Sequence, residues 1–282
     1  MKKLMFTAAV AAAGLAFGIE SANTVGYETK QAASAGTMML GAIQFDNVGG
    51  ATMDVSKAVI PSVAPAAYDE NQDYAYDDNW YRSAAQIQIR SGNDWTILYY
   101  TSCGSDPDGN PAAGWATPED GAIATIPLSS GTGVWLTSPS SANCSFTLAG
   151  EVKAVDTPVA TAQSSMKLVA APYPVSFGIN DPTKVTWDVS APAAYDENQD
   201  YAYDENWYKT ACQIQKRTGN DWTILYRTSC GSDPNGDPVA GWATPEDGAV
   251  ADLTIGTCEG FWLTDPNGFS FTVKNPAAPA NN

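Results

Sequence analysis

Short runs of alternating apolar and polar residues, separated by Gly, Pro, Asn and Asp, fill most of this chain. Such runs are typical of β-strands, and no stretch beyond the N-terminus has the 3.6-residue period of an amphipathic helix. We predict an all-β fold. In the first half of the chain, the predicted strands lie near residues 24–30, 37–45, 84–91, 95–102, 122–128, 133–138 and 144–152. Six or seven strands suit a small β-sandwich or open barrel.

The clearest local pattern is a hairpin around Gly92-Asn93-Asp94. A three-residue turn there gathers the apolar residues on one face of the hairpin: Ile87, Ile89, Trp95, Ile97 and Tyr99. A two-residue turn divides them between both faces, because a shift of one residue moves side chains to the other face. A sheet with a single buried face therefore favours the three-residue turn.

A long internal repeat organises the chain. Residues 65–121 and 192–248 are identical at 47 of 57 positions, and weaker correspondences continue on both sides. A period this long indicates a duplicated domain rather than a solenoid. We predict two tandem homologous β-domains, residues 22–150 and 151–276, followed by a polar tail at residues 277–282. Eight of the nine Trp residues have a counterpart in the other repeat, Trp187 being the exception.

The N-terminus has the features of a secretory signal. Lys2 and Lys3 precede an apolar, Ala-rich run from residue 4 to residue 17, and small residues follow. This run is shorter than the ~20 residues that span a bilayer, so residues 1–21 are predicted to be a signal peptide, with cleavage after Gly18 or after Ser21. We expect a periplasmic, cell-surface or extracellular protein without a membrane span in the mature chain. A net charge of −17 also argues against nucleic acid and anionic lipid as partners.

Export makes disulfide bonds possible among the five cysteines. Cys103 and Cys230 occupy equivalent places in the two repeats, and Cys144 and Cys258 both lie in C-terminal strands of their repeats. We predict the pairs Cys103–Cys144 and Cys230–Cys258, with Cys212 free. The alternative is that all five are small buried residues.

Two acidic segments in each repeat are candidate calcium loops, because Asp and Asn oxygens are the ligands that this cation prefers. The candidate ligands in the first repeat are Asp69, Asn71, Asp73, Asp77, Asp106, Asp108 and Asn110. Those in the second repeat are Asp196, Asn198, Asp200, Asp204, Asp233, Asn235 and Asp237. Ordinary solvated turns prefer the same residue types, so calcium loops and plain turns stay open as alternatives.

Aromatic residues stand among these acids. Their rings are candidates for stacking on a sugar, since binding sites combine flat apolar groups with a few polar ones. They are Tyr74, Tyr76, Trp80 and Tyr81, and in the second repeat Tyr201, Tyr203, Trp207 and Tyr208. The alternative is that the rings fold over the end of the β-domain and are buried.

Several short motifs, "VGY" from Val25, "GAIQF" from Gly41 and the closing "GTGVWL" and "CEGFWL", resemble those of a group of uncharacterised exported bacterial β-proteins. The resemblance implies export and a β-module. It implies no catalytic residue and no ligand.

Histidine is absent from the chain, which excludes Ser-His-Asp and Cys-His catalysis and His-based metal sites. The carboxylate pairs Glu119-Asp120 and Glu246-Asp247 remain candidates for glycoside cleavage, because that reaction needs two carboxylates and acids are plentiful in this chain. Each pair ends a "TPED" sequence, which is also common in turns and at helix starts. We expect a non-catalytic structural or surface-interaction protein of the bacterial envelope or exterior, with calcium as its candidate cofactor. The alternative is a carbohydrate-binding protein with one aromatic and acidic site in each repeat. Extracellular glycans and envelope proteins are the expected partners.

Overall fold

The computed structural model describes residues 24–47, 52–66, 83–106, 108–118, 121–161, 165–189, 211–232, 235–244 and 248–275. The first repeat forms β1 (Thr24–Gln31), β2 (Met38–Ile43), β3 (Met53–Asp54), α1 (Val55–Ala58), β4 (Val59–Pro61), β5 (Gln86–Ser91), β6 (Asp94–Ser105), β7 (Pro111–Ala116), β8 (Pro127–Leu128), β9 (Thr132–Thr137) and β10 (Ser145–Val152). The second forms β11 (Pro158–Thr161), β12 (Ser165–Val169), β13 (Phe177–Gly178), β14 (Val185–Asp188), β15 (Gln213–Thr218), β16 (Asp221–Ser232), β17 (Pro238–Ala243), β18 (Thr254–Ile255), β19 (Phe261–Asp265) and β20 (Phe269–Val273).

The all-β class is confirmed, and the two repeats fold alike. Each strand of the first repeat has its counterpart ten strands later, with the same pairing partners. Even the irregularity in the long hairpin recurs, since the register shifts between Thr101 and Gly104 and again between Thr228 and Gly231. Within the described ranges each repeat has ten strands rather than six or seven, because several are only two to four residues long.

One sheet runs through both repeats. Its strand order is β17-β16-β15-β19-β12-β9-β5-β6-β7, with β2 paired to β9, and the pairings within it are antiparallel. The junction between repeats is the bridge from Val169 on β12 to Thr132 on β9. The backbones approach closely here, because a Cβ on Gly133 would lie 2.6 Å from Leu168 Cγ and one on Gly260 would lie 2.5 Å from the Gly41 carbonyl oxygen.

A smaller sheet covers the large one in each repeat, β1-β10-β4 in the first and β11-β20-β14 in the second. The apolar residues between them form two separate clusters. In the first, Ile87, Leu98 and Trp115 of the large sheet belong to the same cluster as Phe146 and Leu148 of the small one. The second cluster is built from equivalent positions and also holds Trp187. This is the layering of a β-sandwich; the predicted division into two domains stays a prediction.

The predicted hairpin turn is wrong. Ser91 pairs with Asp94, so the turn has two residues, and Gly92 takes the positive φ of +62° that the first position of such a turn favours. Ile87 and Ile89 consequently face the sandwich core, whereas Trp95, Ile97 and Tyr99 lie on the opposite face. The reason is that this outer face is partly covered: Trp95 packs against the other repeat, and Ile97 and Tyr99 pack against Ala66 and Ala84.

Candidate functional site

The outer face of each hairpin carries a Trp that packs on the other repeat. The Trp95 ring meets the Trp262 ring at a centroid distance of 5.9 Å and an angle of 74°. The equivalent pair, Trp222 and Trp135, meets at 6.2 Å and 73°. These are the edge-to-face arrangements that aromatic rings prefer. Each repeat therefore supplies one ring to the outer face of its neighbour.

An arginine accompanies each ring pair. The Arg90 guanidinium lies 5.1 Å from the Trp262 ring centroid and 5.9 Å from that of Trp95. Arg217, its counterpart, lies 5.4 Å from the Trp135 ring. Such contacts contribute roughly 0.5–1 kcal/mol at exposed sites. They hold the rings in place while 40% of Trp95 and 44% of Trp222 stay exposed.

A second contact between the repeats is buried and polar. The Gln44 side chain, which is 0% exposed, accepts a hydrogen bond from the Cys258 N–H at 2.8 Å and donates one to the Tyr173 carbonyl oxygen at 2.9 Å. The Cys258 thiol donates to Glu28 at 2.8 Å. Burial, together with this carboxylate, raises the pKa of the thiol. The thiol therefore stays protonated and serves as a donor.

Beside this junction lies a cleft of about 190 Å³. Its lining comes from both repeats and comprises Lys30, Gln31, Ala33, Thr37, Met38, Met39, Leu40, Arg217, Thr218, Gly219, Glu259 and Gly260. Met38, Met39 and Leu40 of β2 are the large apolar residues of this lining, and Lys30, Arg217 and Glu259 are its charged residues.

Glu259 is held by two lysines. Its Oε2 is 2.8 Å from Lys216 Nζ, whereas its Oε1 is 3.8 Å from Lys30 Nζ. Burial acts to raise the pKa of Glu259, but hydrogen bonds from Lys216 and from the Gly256 N–H outweigh it and leave the pKa below its usual value. Lys216 is thus the close partner of this carboxylate, and Lys30 is the looser one.

The described part of the acidic loops forms turns. The Asp106 carboxylate accepts hydrogen bonds from the N–H groups of Asp108 and Asn110 at 3.0 and 2.8 Å, which lowers its pKa, the bond from Asn110 being the main cause. This is an Asx turn, and Gly109 follows with φ +82°. Within the described ranges no three His, Cys, Asp or Glu residues come together as a metal-ligand group. Asn235 and Asp237 lie on the equivalent turn, and both are exposed.

Most of the predicted site residues lie outside the described residues. These are Asp69, Asn71, Asp73, Tyr74, Tyr76, Asp77, Trp80 and Tyr81 in the first repeat, and Asp196, Asn198, Asp200, Tyr201, Tyr203, Asp204, Trp207, Tyr208 and Asp233 in the second. The carboxylate pairs 119–120 and 246–247 lie outside them as well. The structure places only the start of the first such segment, where Ala66 bridges to Thr101 on β6.

The predicted disulfides Cys103–Cys144 and Cys230–Cys258 are wrong for this structure, since Cys144 and Cys258 are free and buried. Cys103 lies on β6 of the large sheet, whereas Cys144 directly precedes β10 of the small one. Cys230 lies on β16, and Cys258 precedes β19, from which β15 separates β16 in the same sheet. Cys144 Sγ instead donates to the Ser145 carbonyl oxygen at 3.3 Å. Cys212 is also free and buried, and burial raises its pKa.

The residues that the sequence patterns did not single out are Arg90, Arg217, Lys30 and Glu259. A usable signal existed for the first two, because each arginine recurs at the same place in both repeats, directly across the strand pair from a Trp. No comparable signal pointed to Lys30 or Glu259.

No protein-family model, curated protein or solved structure matches the chain. Among the described residues there is no helix with the length and apolar character to cross a bilayer.

Proposed function

We propose that this chain is an exported, non-catalytic structural or surface-interaction protein of the bacterial envelope or exterior, with calcium as a candidate stabilising ion. One observation carries the proposal: the two repeats share a continuous sheet and pack reciprocally through Trp95, Trp262, Trp222 and Trp135. Such packing makes the repeats one stiff body that presents two like surfaces. A rigid body of this kind suits a protein that attaches to a surface or holds partners apart better than an enzyme that changes conformation during catalysis.

A first experiment tests export and the class of partner together. The chain is produced with its N-terminus intact, and mass spectrometry of the secreted form is expected to show a start at residue 19 or 22. The secreted chain is then mixed with purified bacterial envelopes and sedimented. Saturable co-sedimentation that protease treatment of the envelopes abolishes supports a protein partner. A chain that keeps its N-terminus and stays in the cytoplasm contradicts the proposal.

A carbohydrate-binding role is the second candidate, and one observation favours it. Trp95 and Trp222 expose part of their rings at equivalent places on the two hairpins, where neighbouring rings and arginines hold them. Two such sites on one stiff body would act together on a polymer and increase its apparent affinity. Periodate treatment of the envelopes, rather than protease, would then abolish co-sedimentation.

A glycan array separates the two roles. The carbohydrate role predicts weaker glycan retention in Trp95→Ala and in Trp222→Ala, and a larger loss in the double variant. The structural role predicts that any retention by the parent chain is unchanged in these variants. Ile97→Ala, on the same face of β6, serves as the control for nonspecific loss of apolar surface. Shortened glycans after incubation would contradict the non-catalytic part of the proposal.

A further inference from the structure

We infer that the cleft between the repeats is a binding site for a carboxylate on a ligand about the size of one sugar ring, with Lys30 and Arg217 as its charge partners. This goes beyond the proposed function and holds whether the main role is structural or carbohydrate binding. The first support is the charge of the lining. Two cations and one carboxylate line the cleft in a chain of net charge −17, which has only 14 Lys and Arg residues.

Lys30 and Arg217, the two cations that line the cleft, lack a close carboxylate partner among the described residues, whereas Lys216 beside the cleft has one. Lys216 is 2.8 Å from Glu259 and also donates to the Thr254 carbonyl oxygen at 2.6 Å. Lys30 is 3.8 Å from the other oxygen of the same carboxylate. Since Lys216 is the close partner of Glu259, Lys30 retains most of its capacity to bind an incoming anion.

A comparison of the two repeats singles out Arg217. In the first repeat Arg90 Nε donates to the Gly92 carbonyl oxygen at 3.0 Å. In the second, Arg217 Nε is buried and has no hydrogen-bond partner among the described atoms, and the one hydrogen bond of the guanidinium to a described residue is to Asn220 Oδ1 at 3.3 Å. The same hairpin thus gives the Nε donor of its arginine a partner in the first repeat and leaves it without one in the second, where Arg217 lines the cleft.

The shape and chemistry of the cleft restrict the ligand. Its volume of about 190 Å³ lies below the ~300–1,000 Å³ of drug-sized sites, which limits the bound part to a ring-sized group. Met38 and Leu40, which lie on the same face of β2, supply apolar lining, whereas the Met39 side chain packs against the core of the first repeat. A planar guanidinium matches a carboxylate with two parallel hydrogen bonds. Glu259 in the same lining disfavours a dianion such as phosphate. A uronic acid has all the required features.

Calorimetric titration of the full mature chain tests the inference with four probes: galacturonate, galactose, acetate and inorganic phosphate. Galacturonate is expected to bind, with galactose, acetate and phosphate each at least about tenfold weaker, because charge-assisted hydrogen bonds contribute the largest share. A trimer of galacturonate distinguishes the sources: tighter binding than the monomer indicates a polymer, and equal binding indicates a free sugar acid or a chain end. Equal affinity for galactose, or no heat with galacturonate at millimolar concentration, would overturn the inference.

Matched variants locate the site. Arg217→Gln and Lys30→Gln are each expected to weaken galacturonate binding roughly ten- to hundredfold, the loss of one charge-assisted contact. Arg90→Gln, the equivalent change in the first repeat, is expected to leave it unchanged. Melting temperatures show whether each variant folds, and Lys30→Gln, at a half-buried position, keeps the test valid if Arg217→Gln does not fold. Equal weakening by Arg90→Gln, or unchanged binding in Lys30→Gln, would refute the assignment.

Discussion

The two most deeply buried tryptophans offer a controlled comparison within one molecule. Trp115 and Trp242 are equivalent, and both are 0% exposed. Trp115 Nε1 donates to the Val59 carbonyl oxygen at 2.8 Å, whereas Trp242 Nε1 is buried without a partner among the described atoms. Trp115→Phe and Trp242→Phe remove the same ring volume, but only the first removes a hydrogen bond.

The difference can be estimated from the contacts. Losing the bond to Val59 costs about 1–3 kcal/mol, while deleting an unpartnered donor costs nothing on this account. Among the described residues each ring has one close aromatic neighbour, Tyr100 at 5.3 Å from Trp115 and Trp187 at 5.1 Å from Trp242, so these contacts largely cancel. Arg227 lies 5.8 Å from the Trp242 ring centroid, and loss of this cation–π contact adds about 0.5–1 kcal/mol to the cost of Trp242→Phe. Trp115→Phe should therefore be the more destabilising by about 1–2 kcal/mol.

Urea denaturation followed by far-ultraviolet circular dichroism measures this difference, because that signal does not depend on the substituted indole. The free energy of unfolding of both variants is compared with that of the parent chain at the same pH and ionic strength. A loss in Trp242→Phe as large as that in Trp115→Phe would show that the hydrogen-bond argument is wrong. Trp187→Phe, which loses its bond to the Ile179 carbonyl oxygen, should resemble Trp115→Phe.

Three further predictions concern backbone strain, acid and calcium. Gly131→Ala should lower the free energy of unfolding by more than about 2 kcal/mol in thermal denaturation, because Gly131 has φ +92° and a Cβ there would lie 2.7 Å from Val159 Cγ2. Gly92→Ala, at φ +62° in open space, should cost only about 1 kcal/mol. Equal losses in the two variants would refute the clash. The folded pKa of Glu259 is lowered from its ordinary value of 4.5, so the carboxylate stabilises the fold above pH 4.5 and this contribution is lost as the pH falls through the folded pKa. Glu259→Gln should therefore flatten the decline in melting temperature between pH 5 and pH 3, measured by scanning calorimetry. If the acidic loops bind calcium with a Kd of roughly 0.1–1 mM, 5 mM calcium should raise the stability by about 1–2 kcal/mol over chelator; an unchanged melting temperature would remove calcium from the proposal.

The sequence allowed the class of fold to be predicted because Gly, Pro and Asn end its apolar runs so regularly. It did not reveal β7, whose Pro111–Ala116 segment is rich in Ala and Gly and contains a single large residue, Trp115. The hairpin turn was mispredicted for a physical reason. The pattern argument assumed one buried face, but contact with the other repeat covers part of the second face, so apolar residues on both sides were the correct sign.

The sites were less predictable than the fold. Acidic loops stand out in a sequence because Asp and Asn cluster locally, and the described one, around Asp106, proves to be a hydrogen-bonded turn. No local sequence pattern indicates the cleft, because Lys30, Arg217 and Glu259 come from distant parts of the chain and meet only where the repeats touch. The disulfide prediction failed likewise, because recurrence of a cysteine in both repeats does not show which other cysteine lies beside it in the folded chain.

The reciprocal ring exchange has a consequence for the chain's connectivity. Each half finishes the packing of the other in the same way, which is how two subunits meet in a twofold dimer. The segment between β10 and β11 then joins two halves that already meet through the sheet and the rings, and its own contacts include those to Asp46 and Asn275. A protease cut there should leave a noncovalent complex of two fragments that co-elute as a single particle, and one half expressed alone should pair with itself.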